Sequence, residues 1–159
     1  MTTFTLSSTT LHDNNVLPLA HVHHDAGGAN RSPELHWEHA PTGTKSFALS
    51  CYDPDAPTGS GFWHWYIINI PANIHHLAEN AAEEGLPTPA RHARNDYGTY
   101  HYGGACPPPG HGTHRYIFTI YALDCEQLNL PVDTTTARVG FNVWAHTLAS
   151  ASLTCTYSR

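Results

Sequence analysis

Apolar and polar residues alternate with a period of two along several short stretches of the chain, which predicts β-strands. Phe47, Leu49 and Cys51 fall on one face of such a strand. Asp53 continues that face at the strand's end, which places a carboxylate at the rim of the core. Residues 62–70 are apolar on both faces and rich in aromatic and β-branched side chains, so they predict a central strand covered on both sides.

The same periodicity predicts further strands along the chain. An edge strand is expected at residues 3–8 and a last strand at residues 152–157. Residues 114–123 form another strand pattern, in which His114 and Tyr116 share a face. Several short strands separated by turn signals, with one or two short peripheral helices, indicate an all-β fold of the sandwich type.

Helical spacing occurs in two segments. A short surface helix is predicted within residues 73–84, and Asp133 can cap a longer helix over residues 134–150. The apolar residues that recur at helical spacing in the longer segment, and that we expect to face the core, are Ala137, Phe141, Trp144 and Leu148.

Composition narrows the functional classes. Charged residues make up 13% of the 159 residues and the formal net charge is −6, so nucleic acid is a poor partner. A chain of this length can bury its own core, and we expect residues 1–159 to form a single domain. No stretch approaches the length of a membrane span and the polar first ten residues do not resemble a signal peptide. We therefore expect no membrane insertion and a cytoplasmic location.

Histidines and cysteines raise the question of a metal site. The four cysteines lie far apart without a CxxC pair, so reduced thiols are expected. Among the 14 histidines, those in residues 21–25 look like a ligand cluster. Sequence neighbours supply at most two converging ligands, so we interpret this segment as exposed chain bearing histidines. No metal and no cofactor is predicted, and a histidine-rich metal binder stays open as a weaker alternative.

Three polar residues stand where stiff loops meet predicted strands. Asp53 leads into a loop stiffened by prolines, while His64 and His114 each open a strand directly after a loop rich in glycine or proline. We expect one pocket at one end of the sandwich to hold all three. A nearby carboxylate raises the proton affinity of an imidazole, and imidazole N–H groups donate to anions. The alternative is that each histidine only satisfies buried polar groups beside an aromatic core.

Asp55 and Arg115 each follow a pocket residue by one or two positions and are expected to point away from the pocket. We predict a buried, bidentate ion pair between them that ties the two loops together.

Several motifs resemble the phosphatidylethanolamine-binding protein family, in its bacterial Raf-kinase-inhibitor-like branch. They are CYDPDAP, the WHW that precedes IIN, and CPPPG followed by HRYIFTIYALD. SPELHW and the closing GFNVWAHTLASASLT read like the same branch, so the resemblance covers nearly the whole chain from about Asn30. It implies a two-sheet antiparallel β-sandwich with Greek-key features and a small anion-binding pocket at one end. In the family that pocket recognises phosphate-like groups, including phospholipid headgroups.

The resemblance also implies which residues line the pocket. Carried over motif by motif, the ligand-binding residues are Asp53, Ala56, Pro57, His64, Gly104, Cys106, Pro107, His114 and Tyr116. Cys106 stands where the family has a glycine, which brings a thiol to the pocket wall.

Two functions from different classes follow. The first is a protein that binds a small anionic or phosphorylated ligand in a regulatory or scavenging role. The second is a hydrolase that uses Asp53, His64 and His114 as acid–base groups on a phosphoester. No serine or cysteine stands in an activating motif, so binding is favoured and no catalytic residue is assigned. The bacterial branch also suggests a homodimer.

Overall fold

The computed structural model describes residues 2–159, which contain eight β-strands and two α-helices. The strands are β1 (Thr5–Ser7), β2 (Leu35–Glu38), β3 (Ser46–Asp53), β4 (Phe62–Pro71), β5 (His76–Leu77), β6 (Arg91–His92), β7 (His114–Leu123) and β8 (Thr147–Tyr157). The helices are α1 (Ala81–Glu84) and α2 (Thr136–His146). In residues 2–159 neither helix combines the length and the apolar character that a transmembrane segment needs.

The strands form two antiparallel sheets, in the orders β1-β2-β5 and β6-β4-β3-β7-β8. The main core contains side chains from both sheets, such as Trp37 of β2 and Phe47 of β3. A smaller apolar cluster lies on the other face of the larger sheet, where Tyr66 of β4 meets Val139 and Val143 of α2. The predicted all-β class, with two antiparallel sheets and short helices, is confirmed.

The strand order brings three strand termini together at one end of the larger sheet. Because β3 runs antiparallel to both of its neighbours, the end of β3 lies beside the start of β4 and the start of β7. Phe62 lies directly opposite Asp53, and Ile117 lies opposite Tyr52. The sequence pattern that put His114 at the start of its strand therefore places it beside the end of β3.

A β-bulge alters the direction of His64. Tyr52 lies opposite Trp63 and Cys51 lies opposite Trp65, so His64 has no partner of its own on β3. A bulge inserts one extra residue and interrupts strict alternation. The imidazole lies beside Tyr116 of β7, with ring centroids 5.2 Å apart.

A second irregularity lies further along β4, where Asn69 has a positive φ of 63°. Strict alternation predicts His64, Tyr66, Ile68 and Ile70 on one face. That prediction is wrong, because Tyr66 and Ile68 join the cluster under α2 while Ile70 joins the main core. The two bulges, which the residue pattern does not mark, account for the difference.

The helix predictions need correction as well. The longer helix covers 136–146, since the Thr135 side chain, and not Asp133, accepts a hydrogen bond from the Arg138 N–H at its start. Residues 147–150 of the predicted segment form the beginning of β8. Of residues 73–84, only the last four are helical.

The apolar face expected to enter the core points outward instead. Phe141 is 66% exposed and Trp144 is 72% exposed, and Ala137 and Leu148 are also exposed. The buried face carries Thr136, Val139 and Val143. Both sets fit the helical period, and the smaller side chains are the ones that pack on the aromatic face of the sheet.

Candidate ligand-binding site

A cavity of about 210 Å³ opens at the end of the larger sheet where β3 ends and where β4 and β7 begin. Its lining comes from these strand ends and from the loops at residues 56–58, 97 and 106–108. The lining residues are Asp53, Ala56, Pro57, Thr58, Phe62, His64, Tyr97, Cys106, Pro107, Pro108, His114 and Tyr116. Eight of the nine residues that the sequence proposes for ligand binding are among them.

Gly104 is the ninth, and it lies behind the cavity wall. Its carbonyl oxygen accepts hydrogen bonds from His64 Nδ1 at 3.1 Å and from the Tyr97 hydroxyl at 2.9 Å. Its amide donates to Asn30 Oδ1 at 2.7 Å. A Cβ at this position would lie about 2.5 Å from the backbone of His21. Gly104 therefore allows close backbone packing that holds two cavity residues in place.

Asp53 is almost completely buried, at 2% exposure, and both of its carboxylate oxygens have donors. Oδ2 accepts from His114 Nδ1 at 2.6 Å, and Oδ1 accepts from the Asp55 backbone amide at 2.7 Å. The carboxylate therefore fixes the orientation of the His114 ring and of the loop that follows β3.

The second nitrogen of His114 is also occupied. Nε2 lies 2.6 Å from Nδ1 of His111, an exposed residue in the loop before β7. With Nδ1 donating to Asp53, a neutral His114 accepts at Nε2 and His111 donates. Sequence reasoning did not select His111, although its place within the sequence Gly-His-Gly just before the strand was a visible signal.

His64 is held by the backbone behind it. Its Nδ1 donates to the carbonyl oxygens of Gly103 at 2.8 Å and Gly104 at 3.1 Å. Burial lowers the pKa of His64 to about 4, although the Gly103 carbonyl and Asp53 act in the opposite direction. The expected rise caused by Asp53 is therefore overturned, because desolvation of the imidazolium is the larger effect.

Tyr116 carries an unusual hydroxyl group. The residue is 1% exposed, and within residues 2–159 its hydroxyl has no hydrogen-bond partner. Burial raises the pKa of Tyr116 well above its usual range, so the group keeps its proton and can donate. A buried polar group without a partner is costly, and its position in a cavity wall points to a ligand.

Tyr97 is a lining residue that the sequence reasoning missed. Its ring lies edge-on to His64 at 5.5 Å and stacks on His23 at 5.1 Å. The neighbouring Asp96 accepts from the backbone amide of Trp63 at 2.7 Å, which fixes this loop against the start of β4. Tertiary contacts of this kind bring Tyr97 to the cavity.

The loop that contains Cys106 is braced by Arg159. The Arg159 guanidinium donates from Nε to the Pro107 carbonyl at 2.7 Å, and its Nη2 lies 3.6 Å from the Cys106 Sγ. The Gly110 amide donates to the Arg159 carbonyl oxygen at 2.9 Å. Arg159 thus holds both the start of this loop, at Cys106 and Pro107, and its later part, at Gly110.

Asp55 and Arg115 form the predicted bidentate pair, with both hydrogen bonds at 2.9 Å. The Arg115 backbone amide also donates to Asp55 at 2.9 Å. Contrary to the prediction, the pair is not buried, because the Arg115 side chain is 56% exposed and the Asp55 side chain is 30% exposed. The hydrogen bond from Arg115 is the main reason why the pKa of Asp55 falls to about 2.

Residues 7–158 match the sequence model described as phosphatidylethanolamine-binding protein. The chain belongs to the phosphatidylethanolamine-binding protein family.

Members of the family are similar along nearly the whole chain. YbhB of Escherichia coli K12 is 47% identical over 157 residues, which is 96% of this chain and 99% of YbhB. The crystal structure of YbcL from Escherichia coli superposes with a TM-score of 0.94 at 42% identity and covers 98% of both chains. A homologue of phosphatidylethanolamine-binding protein from Chlamydia trachomatis has a TM-score of 0.83 at 28% identity. The resemblance stated from the motifs is confirmed.

In this member of the phosphatidylethanolamine-binding protein family, the cavity walls bear no cationic side chain. Of the residues that the structure describes, those lining the cavity include Asp53 but no lysine or arginine. Among the polar side-chain atoms of the lining, Nε2 of His64 and the Tyr116 hydroxyl have no hydrogen-bond partner, counted over residues 2–159. The cavity therefore offers a hydrogen-bond acceptor and a donor within an otherwise largely apolar lining.

The structure also shows where a metal ion has candidate ligands. In the described part of the chain, Asp124, Cys125 and His146 place their ligand atoms within 4.8 Å of one another, at the end of β7 far from His114. The His146–Asp124 hydrogen bond of 2.8 Å already accounts for two of them. Residues 21–25 were expected to be exposed, but His21 is buried, and its Nδ1 lies 2.8 Å from the Arg31 carbonyl oxygen.

Proposed function

We propose that this protein binds a small ligand with a phosphate-like group in the cavity between Asp53, His64 and Tyr116, and acts as a regulatory or scavenging binding protein. The observation that carries the proposal is the buried Tyr116 hydroxyl, which lines the cavity without a partner in residues 2–159. A ligand oxygen would supply the missing acceptor. Membership of the family supports a small-molecule ligand.

Calorimetric titration with inorganic phosphate and phosphoethanolamine tests the proposal. Ala56 lines the cavity, so Ala56→Leu should fill it and abolish binding. Ala137 is exposed on α2, so Ala137→Leu is a matched control that should bind like the parent protein. No measurable heat with the parent protein, or equal binding by the Ala56→Leu variant, would refute this site.

The hydrolase alternative rests on a different observation, the 2.6 Å hydrogen bond between Asp53 and His114. A carboxylate that orients an imidazole is the arrangement of many general bases. Here the outer nitrogen of that imidazole is occupied by His111, so binding is the better-supported function. Phosphate release from a panel of phosphoesters, compared between the parent protein and His114→Gln, separates the two functions.

We also propose a homodimer, located in the cytoplasm, in which residues 1–159 form one domain. The resemblance to the bacterial branch suggests the dimer, and the exposed Phe141 and Trp144 supply apolar surface that an interface could cover. Light scattering at micromolar concentration should give twice the mass of the chain. A Trp144→Glu variant should shift that mass toward the monomer if this surface is the interface.

A further inference from the structure

His64 can offer a ligand in the cavity only one nitrogen, and that nitrogen is an acceptor. Its Nδ1 lies within hydrogen-bond distance of two backbone carbonyl oxygens, from Gly103 and Gly104. Carbonyl oxygens only accept, so the proton of the neutral ring is on Nδ1. Nε2 then presents a lone pair.

The surroundings of His64 keep the imidazole neutral. The groups around it are the carboxylates of Asp53 and Asp96, the hydroxyls of Tyr97 and Tyr116, the Cys106 thiol and the His114 ring. The two carboxylates favour the charged ring, whereas burial disfavours it and prevails, so the pKa is about 4. Near neutral pH, Nε2 of His64 accepts.

Tyr116 provides the complementary group. Its hydroxyl is buried in the cavity wall and has no acceptor within residues 2–159. The other tyrosine hydroxyl of the wall, that of Tyr97, already donates to the Gly104 carbonyl. A ligand that satisfies both His64 and Tyr116 must therefore carry both a donor and an acceptor.

We infer that the cavity selects phosphate or phosphomonoester monoanions, whose P–OH group donates to His64 Nε2 while a second phosphoryl oxygen accepts from Tyr116. The inference rests on the proposed function and specifies the protonation state of its ligand. A group with the same shape but without the acidic hydrogen brings a lone pair against the lone pair of His64. Sulfate, sulfonates and phosphodiesters are all of this kind.

The energetic reason for the selection is the cost of an unpaired group. A buried acceptor that loses its only donor is left unsatisfied, which typically costs about 10- to 100-fold in binding. The phosphodianion lacks the P–OH hydrogen that Nε2 of His64 requires, so it binds only after taking up one proton. Binding from a dianion solution is thus coupled to the uptake of one proton.

The test compares methylphosphonate with methanesulfonate at about pH 6, and inorganic phosphate with sulfate at about pH 7, by titration calorimetry. The first pair has nearly the same shape and, for the methylphosphonate monoanion, the same charge, so only the P–OH group differs. We expect the phosphorus ligands to bind about 10- to 100-fold more tightly. In buffers of different ionisation enthalpy, phosphate binding at about pH 8 should show uptake of about one proton.

A variant connects the selection to His64. Glutamine offers an N–H donor beside its oxygen acceptor, so His64→Gln should reduce the preference for phosphate over sulfate to within a few-fold. Circular dichroism of the variant in the near ultraviolet checks that the site remains folded. Equal binding of sulfate and phosphate by the parent protein would overturn the inference and leave the proposed function standing. Failure of every anion to bind would overturn the proposed function itself, and the inference with it.

Discussion

Nε2 of His114 lies 2.6 Å from Nδ1 of His111, so the outer nitrogen of this buried imidazole is occupied by a side chain from an exposed loop. The contact completes a chain of hydrogen bonds that runs from the buried Asp53 carboxylate through His114 to the surface. Gly110 and Gly112, which flank His111, both have positive φ angles, of 77° and 103°. The loop conformation that delivers His111 is thus one that glycine favours.

The first prediction concerns this contact. In His111→Ala, Nε2 of His114 loses its partner, so a P–OH group of the ligand can donate to Nε2 while Nδ1 still donates to Asp53. We therefore expect the variant to bind inorganic phosphate more tightly than the parent protein, as measured by calorimetry. His12→Ala, which removes another exposed histidine, should leave the affinity unchanged. Weaker binding by His111→Ala would mean that His111 itself contacts the ligand.

The second prediction separates binding from stability at Tyr116. Tyr116→Phe removes a buried hydroxyl that has no partner in residues 2–159, so the ligand-free protein should gain up to about 1 kcal/mol in its free energy of unfolding. The same variant should bind phosphate about 10- to 100-fold more weakly, because a hydrogen bond to a charged oxygen is lost.

Urea denaturation without phosphate and calorimetry with it measure the two effects. Tyr97→Phe is the matched control, because its hydroxyl donates to the Gly104 carbonyl and its removal should destabilise the protein. If Tyr116→Phe is destabilised as much as Tyr97→Phe, the Tyr116 hydroxyl has a partner before the ligand binds.

The sequence was sufficient to place Asp53 and His114 together. Period-two alternation located the end of β3 and the start of β7, and antiparallel pairing of these strands brings the two ends side by side. It could not place His111 or Tyr97. Their positions depend on loop conformations and on contacts such as the one between Asp96 and the Trp63 amide, which no periodicity encodes.

The direction of the His64 side chain and the choice of the buried face of α2 could not be predicted from the sequence, for other reasons. A bulge shifts the alternation by one residue, and no glycine or proline lies beside it within either strand. On α2, Val139 and Val143 are four residues apart and Phe141 and Trp144 are three apart. Both spacings fit a helix, so the helical period alone cannot choose between the two faces. The choice depends on which side chains fit against the sheet.

The third prediction is a loss of stability in mild acid. Burial lowers the pKa of both His64 and His92 to about 4, and Nε2 of His92 accepts a hydrogen bond from Trp65 Nε1 at 3.0 Å. In the unfolded chain a histidine titrates near about 6.5. The unfolded state therefore takes up protons that the folded state does not, and the free energy of unfolding should fall as the pH drops from about 6.5 toward 4.

Urea denaturation between about pH 8 and pH 4 measures this loss, which is at most roughly 3 kcal/mol for each histidine and less for the partly exposed His92. His92→Gln keeps an oxygen acceptor for Trp65 but cannot titrate, so its stability should depend less steeply on pH. His12→Gln, at an exposed position, should follow the parent protein. A His92→Gln curve parallel to that of the parent protein would contradict the assignment for His92.

The fourth prediction uses Cys106 as a reporter of the cavity. Among the cysteines of residues 2–159, Cys106 is the one that lines the cavity, and the Arg159 guanidinium lies 3.6 Å from its sulfur. Phosphate bound in the cavity should shield this thiol, so alkylation by iodoacetamide should slow as phosphate is added.

Cys125 is the internal control, since it is also only partly buried but lies at the far end of β7, and burial raises its pKa. Mass spectrometry of the alkylated peptides should therefore show slower labelling of Cys106 and an unchanged rate at Cys125. Equal slowing at both cysteines would indicate a general effect of salt, and no slowing at Cys106 would place the bound anion outside the cavity.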